Sequence, residues 1–506
     1  MTVKVMHRLL ALIMTIIMLA SINTAAFAAD DGFAKSYTYN YDFWGDIRES
    51  PDAYNVEDVI YYNELGLDLP MKKPQSLFVR ESDLYVCDTG NNRILQLHRE
   101  GNDFSLVRVI DTIQGCDVAT FNSPQDVFVD AKENIYVADT NNNRVVMVDK
   151  DLNFIQEFTK PTDSTFDQSL SYNPNKIVVD VSGRLFVLAT NINKGLVKYE
   201  NDGTFTGFVG ANKVSYNFFD YMWKMYFSTK EQRAQQASFV PTEYCNIYMD
   251  EDSFIYATNI VFSEYDLLSD VAQPIRRLNG IGNDILIKND RNPPIGDLYW
   301  VEQNEALGPS KLVDITVLDN DIYVAVDRTR GRIFGYDSQG IMLWAFGTSG
   351  NSEGAFNSAI SIEHMGKDLF VLDQNEGNIT MFTPTEYGNL IYDASEAYLV
   401  GDYDGSALKW EEVLKHNANY NLAFIGIGRS LLRQDKYLEA MECFEMARDR
   451  DNYGRAFRLY RKVWVEENVG WLVVVLVVLM IIPVVRRSMK KMRMEVEMHE
   501  RNQVNK

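Results

Sequence analysis

PQDVFVDAKENIYVADTNNNR, Pro124 to Arg144, decides the fold. It holds two short alternating apolar runs, Val127-Phe128-Val129 and Ile135-Tyr136-Val137, joined by an Asp/Lys/Glu/Asn turn. An Asn-rich turn then leads out to Arg144. Alternation with turn residues between reads as paired antiparallel strands. The phrase recurs upstream as PQSLFVRESDLYVCDTGNNR, Pro74 to Arg93, and the spacing Pro74 to Pro124 to Pro174 is 50 residues each time. A fixed period of this size means repeated structural units.

Working outward, the tyrosine of the second strand or its equivalent recurs as Tyr85, Tyr136, Phe186, Tyr256, Tyr323 and Phe370, which makes six units. Third and fourth strands follow in several of them. Four short strands per unit is the propeller pattern. The last unit stops at Tyr387 without a fourth strand, and the early run Val59-Ile60-Tyr61-Tyr62 is expected to supply it and close the ring. Residues 29–54 are rich in Tyr, Phe and Asp and read as an ordered arm.

The motif P-x-x-x-x-V-D-x-x-x-x-I-Y-V-A-D-T-x-N-N-R resembles the NHL repeat. Pro124, Asp130, Tyr136, Asp139, Asn143 and Arg144 carry the resemblance, as do Pro74, Tyr85, Asp88, Asn92 and Arg93. The third unit departs, with Ala189 at the Asp position; the last two keep Asp327 with Arg332, and Asp373. The resemblance spans about residues 55–388 and implies a mainly-β chain built on a six-bladed propeller. A residue that recurs once per blade serves the blade. The Asp is expected to cap the turn, the Asn to adopt left-handed backbone, and the Arg to pair with the Asp.

The ends carry a different message. Lys4 and Arg8, the apolar run Leu9–Ala20 and Ala26-Phe27-Ala28 read as a signal peptide over residues 1–28. The charge-free run Val469–Val485 is long enough to span a bilayer within a 467–486 segment. Arg486, Arg487, Lys490, Lys491 and Arg493 follow it, which puts the tail, 487–506, in the cytoplasm and the N-terminal domains outside. Between propeller and span, residues 389–466 turn helical. Tyr403, Ser406, Trp410 and Val413 recur 34 residues later as Tyr437, Ala440, Phe444 and Ala447, a period that resembles the tetratricopeptide repeat. The layout resembles NHL-repeat proteins of Firmicutes. That implies a Gram-positive cell membrane and a place beside a carbohydrate uptake system. The net charge of -22 disfavours nucleic acid as a partner. Cys87, Cys116, Cys245 and Cys443 match no metal spacing and read as buried or unpaired thiols, with a Cys87–Cys116 bridge the one alternative.

In a propeller, strand a lines the central channel. Its starts place Ser76, Asp126, Lys176, Asn246 and Asp314 around a mouth on the face that also carries the b–c turns and blade-to-blade loops. The long insertions, about 205–241, 259–272 and 287–310, fall on the same face. The first reads as a helix with Tyr216, Trp223 and Tyr226, either a lid on the propeller, an aromatic platform for a carbohydrate or protein partner, or a membrane-dipping segment. Glu243, Asn259 and Tyr299 add polar groups.

Catalytic propellers of the lactonase and lyase type hold a metal in the channel. Here His98 and His364 fall at outer or turn positions, and neither an H-x-x-x-H pair nor a G-x-S-x-G elbow occurs. No cofactor is implied beyond a calcium ion held between Asp126 and Asp314. The expectation is a non-catalytic, membrane-anchored extracellular binding or scaffold protein, accessory to transport. The alternative is a lactonase-type hydrolase or lyase with a channel metal.

Overall fold

The computed structural model describes residues 37–42, 44–211, 244–268, 272–289, 292–298, 301–302, 305–306 and 308–504. The signal-peptide reading, 1–28, falls outside the described residues. The chain divides into two units: residues 1–40 with 52–385, and residues 41–51 with 386–506.

The first unit is a six-bladed β-propeller. Blade 2 shows the plan, with antiparallel strands a to d at Pro124–Val129, Ile135–Asp139, Arg144–Val148 and Phe154–Thr159. Blade 1 begins at Ser76–Arg80, blade 3 at Asn173–Val179, blade 4 at Asn246–Met249, blade 5 at Leu312–Val317 and blade 6 at Ala359–Met365. Blade 4 has three strands among the described residues. Both faces of a blade press on a neighbour, so strand b is apolar at successive positions: Tyr136, Val137 and Ala138 are each at most 1% exposed. The core is a series of clusters between blades, such as Tyr85, Ile110 and Phe121 against Val127, Ile135 and Val146.

The ring closes through the N-terminal strand, which pairs with Asn378–Pro384 of blade 6. That strand is Tyr54–Ile60 rather than Val59–Tyr62. It ends at Ile60 because Tyr61 opens a turn, its carbonyl accepting from the Glu64 N–H at 3.2 Å. Farther out, Tyr39 pairs with Ala345 and adds an edge strand to blade 5.

The recurring turn residues hold this frame. Asp88 accepts from the Lys72 N–H at 2.7 Å, from Asn91 at 2.8 Å and from Arg93 at 2.7 Å. Asp139 does the same with the Asn122 N–H, Asn142 and Arg144 at 2.8, 2.8 and 3.0 Å. Asn92 and Asn143 sit at φ 54° and 56°, the left-handed region that Asn tolerates. Thr89 and Thr140 tie each blade to the next by donating to the Pro124 and Pro174 carbonyls, both at 2.6 Å. In blade 6, Asp373 accepts from the Asn357, Ser358, Asn375 and Glu376 N–H groups. Blade 5 differs from expectation: Arg330 pairs with Asp327 at 3.2 Å. Arg332 instead donates to the Tyr37 and Gly347 carbonyls at 2.6 and 2.7 Å, because the N-terminal edge strand passes there. All four cysteines are free.

In the second unit, helices α1 Glu386–Leu399, α2 Tyr403–His416, α3 Asn421–Arg433, α4 Tyr437–Met446 and α5 Arg450–Val504 pack each on the next. Trp410 and Phe444, 34 residues apart, both pack on α3. Trp410 lies over Gly426 and Phe444 over Gly428, where an added Cβ would come within 2.3 and 2.6 Å of the rings. Small residues there let the helices approach. Asp402 caps α2 by accepting from the Gly405 N–H at 2.9 Å. Of the described helices, only α5 is apolar and long enough to cross a membrane, and its apolar stretch is not buried against the chain.

Candidate functional site: the propeller channel

In four of the six blades strand a enters the channel through a one-residue register shift: between Pro124 and Asp126, Pro174 and Lys176, Leu312 and Asp314, and Ala359 and Ser361. Such a bulge re-aims the side chain after it. The six equivalent positions are Ser76, Asp126, Lys176, Asn246, Asp314 and Ser361. Four of the sequence-predicted site residues, Asp126, Lys176, Asn246 and Asp314, therefore come together.

They form a belt rather than an open rim. Asp126 accepts from the Ile177 N–H on the next blade at 2.8 Å. Asp314 accepts from the Ile362 N–H at 2.9 Å and the Ser361 hydroxyl at 2.5 Å, and Ser361 accepts from the Leu77 N–H at 3.1 Å. Asn246 donates its amide N–H to Asp314. Lys176 Nζ stands 3.6 Å from Asp126. Ser361 was not among the expected residues, since blade 6 follows the repeat only loosely.

Four belt residues, Asp126, Lys176, Asn246 and Asp314, form the floor of a cavity of about 720 Å³. Its walls are the strands a, and its mouth is formed by the a–b turns, among them Glu81, Lys132, Asp252 and Asp321. This corrects the expected geometry. The predicted ring is present, but the cavity reaches it from the face opposite the b–c turns and insertions. The physical reason is that the polar side chains at the strand starts fold inward and bind backbone N–H groups of adjacent blades. Tyr216, Trp223, Tyr226, Glu243 and Tyr299 lie outside the described residues. Asn259 is buried, and its N–H donates to the Pro274 carbonyl at 2.8 Å.

Above the floor stand Phe78, Phe128, Tyr248, Glu363 and His364. His364 is thus a channel residue, not an outer or turn one. Strand a of blade 6 runs on to Met365, past the Ala359–Ile362 core that the repeat marks. Thr316 joins this group, its hydroxyl 3.2 Å from Glu363 and 2.7 Å from His364 Nδ1. His98 instead pairs with Asp83 at 2.6 Å on the blade itself.

Burial governs the electrostatics. It raises the Asp126 and Asp314 carboxyls, against the opposing pull of Lys176. Burial by itself would lower the Lys176 ammonium, but Asp126 and Asp314 outweigh it and hold it above its ordinary value. Burial, with Asp314 adding repulsion, pushes Glu363 well above the carboxylate range. Burial drops His364 to about 4, so its ring is neutral at pH 7. One ammonium faces three buried carboxyls, and of these Glu363 is the most strongly disfavoured as an anion.

No group of three or more His, Cys, Asp or Glu side chains spaced for a metal occurs among the described residues. The donor set at the belt does not fit a metal either. A lysine ammonium already supplies the positive charge beside Asp126.

The NHL repeat family model matches residues 121–146. The human NHL repeat-containing protein 3 is 31% identical over 139 residues, 24% of this chain and 38% of that protein. The aligned part thus spans little more than a third of the relative. Among solved structures, a streptogramin B lyase covers 66% of this chain and 100% of its own at TM-score 0.40 and 13% identity. Virginiamycin B lyase from Staphylococcus aureus covers 65% and 99% at TM-score 0.37 and 11% identity. These structural likenesses carry no inference about activity. The chain is a six-bladed β-propeller carrying an NHL repeat at residues 121–146, continued by a helical region with one helix apolar and long enough to cross a membrane.

Proposed function

We propose that the chain is a membrane-tethered binding protein held outside the cytoplasm, and that its propeller cavity captures a small ligand. The carrying observation is the cavity itself. About 720 Å³ falls in the range of small-molecule sites, and the cavity combines aromatic walls with a few convergent polar groups. Residues 1–28 direct export, 389–466 act as a tetratricopeptide-like dock for a protein partner, 467–486 span the bilayer and 487–506 stay inside. The aromatic segment with Tyr216, Trp223 and Tyr226 begins after strand d of blade 3 and ends before strand a of blade 4. It is the candidate contact for a carbohydrate or for a transport partner.

The test incubates the full chain, in detergent, with panels of small carbohydrates, amines and lactones. Saturable binding without turnover supports the reading; no binding in any panel overturns it. An impermeant protease on intact cells should release the propeller, and protection of the propeller until lysis would contradict the topology.

One observation favours a second reading. Glu363, whose burial favours the acid form, and His364, both beside Thr316, are the kind of perturbed pair that transfers protons. A hydrolase or lyase would then use Glu363 as the acid. Turnover of a lactone that is lost in Glu363→Gln while binding persists would establish it.

A further inference from the structure

We infer that the cavity takes an organic ammonium ion, with Asn246 Oδ1 and the acidic walls receiving its N–H groups and Phe78, Phe128 and Tyr248 its apolar body. This deepens the binding reading above and depends on it.

The first observation is an orphan acceptor. Asn246 is 3% exposed, lines the cavity and spends its amide N–H on Asp314, yet its Oδ1 has no hydrogen-bond partner. The carboxylate takes the donor end of the amide and leaves the buried acceptor end unpaired. A buried acceptor with no donor is costly, and a ligand N–H would satisfy it.

The second observation is charge. Eleven acidic and three basic side chains line the cavity. Lys176 is spent on Asp126 at the floor, Asp180 and Asp250 pair with Arg184 and Arg277, and burial disfavours the Glu363 anion, which leaves seven acidic side chains against Arg80 and Lys132. A concave site lined with one sign of charge focuses the field and concentrates counter-ions. An anion meets repulsion from wall to floor. A bare divalent ion would have to displace the Lys176 ammonium from Asp126. An organic cation needs neither, and it gains from the rings. Phe78 and Phe128 pack with centroids 4.8 Å apart, and Tyr248 stands between belt and mouth.

The test is titration calorimetry of the full chain in neutral detergent with phenethylamine, phenethyl alcohol and 3-phenylpropanoate. These probes share an apolar body and differ in charge. The amine alone should bind, its affinity should fall several-fold as salt rises from about 0.01 to 0.15 M, and Asn246→Leu should weaken it about tenfold. Should that variant fail to fold, the exposed mouth pair Glu251→Gln/Asp252→Asn replaces it, with a loss of about twofold expected. Alcohol or carboxylate binding as tightly as the amine overturns the ammonium assignment and leaves the cavity reading standing. No binding by any probe overturns both. Amine binding indifferent to salt and to the variants also overturns the assignment.

Discussion

At the scale of the residue, one chemical type does two jobs in this chain, and burial decides which. Asp139 is fully buried, and every contact it makes is internal to the blade and its approach loop. Removing it leaves the Arg144 guanidinium, 4% exposed, with only the half-exposed Glu157 carboxylate at 3.3 Å. Asp139→Ala should therefore cost about 3 kcal/mol in denaturant unfolding of the full chain. Glu363 is the opposite case, a carboxyl that folding keeps neutral. Its folded pKa lies above the unfolded value, so the folded state holds more protons once the unfolded chain begins to titrate near 4.5. Stability is greatest below that pH and declines as pH rises toward the folded pKa. Glu363→Gln removes the proton and should flatten the decline. Between about pH 5 and 8 the melting temperature of the natural chain should drop by about 2 °C more than that of the variant. An equal drop in both would show that Glu363 is charged in the fold.

At the scale of the element, much was legible in the sequence because the determinants are local. Asp139, Asn143 and Arg144 lie within six residues, and their turn chemistry recurs at Asp88, Asn92 and Arg93. The helical character of the chain after residue 388 was legible for the same reason. Each helix pair needs a small residue under a large one, as Gly428 lies under Phe444. Gly428→Ala should overpack that contact at a cost of about 1–3 kcal/mol and speed protease cleavage between residues 420 and 450. Cleavage at the natural rate would mean that the ring has room to move. Less legible was strand a of blade 6. Its pattern is loose, so His364 and Glu363 were not recognised as channel residues. They become so only because the ring closes through Tyr54–Ile60, more than 300 residues earlier. Nor did the strand starts disclose that Asp126 and Asp314 would turn inward to bind the backbone of the next blade.

At the scale of the whole molecule, the described cavity opens at one end of the propeller, through the a–b turns. The insertions mark one face as loop-rich, and loops commonly carry function. The described cavity opens through the other face, at turns only two to five residues long, where no length anomaly in the sequence draws attention. Charge was the available signal. Glu81, Asp130, Asp180, Asp252 and Asp321 recur at the a–b turns, and an acidic residue repeated at one end of every blade but the last concentrates field at that end.

Hydrogen–deuterium exchange on the full chain, with and without saturating phenethylamine, reads which face of the propeller holds the ligand. Binding in the described cavity predicts new protection at the a–b turns, residues 80–82, 130–134, 250–253 and 318–321. Protection confined to the b–c turns at 89–92 and 140–143 would place the ligand on the opposite face and contradict it.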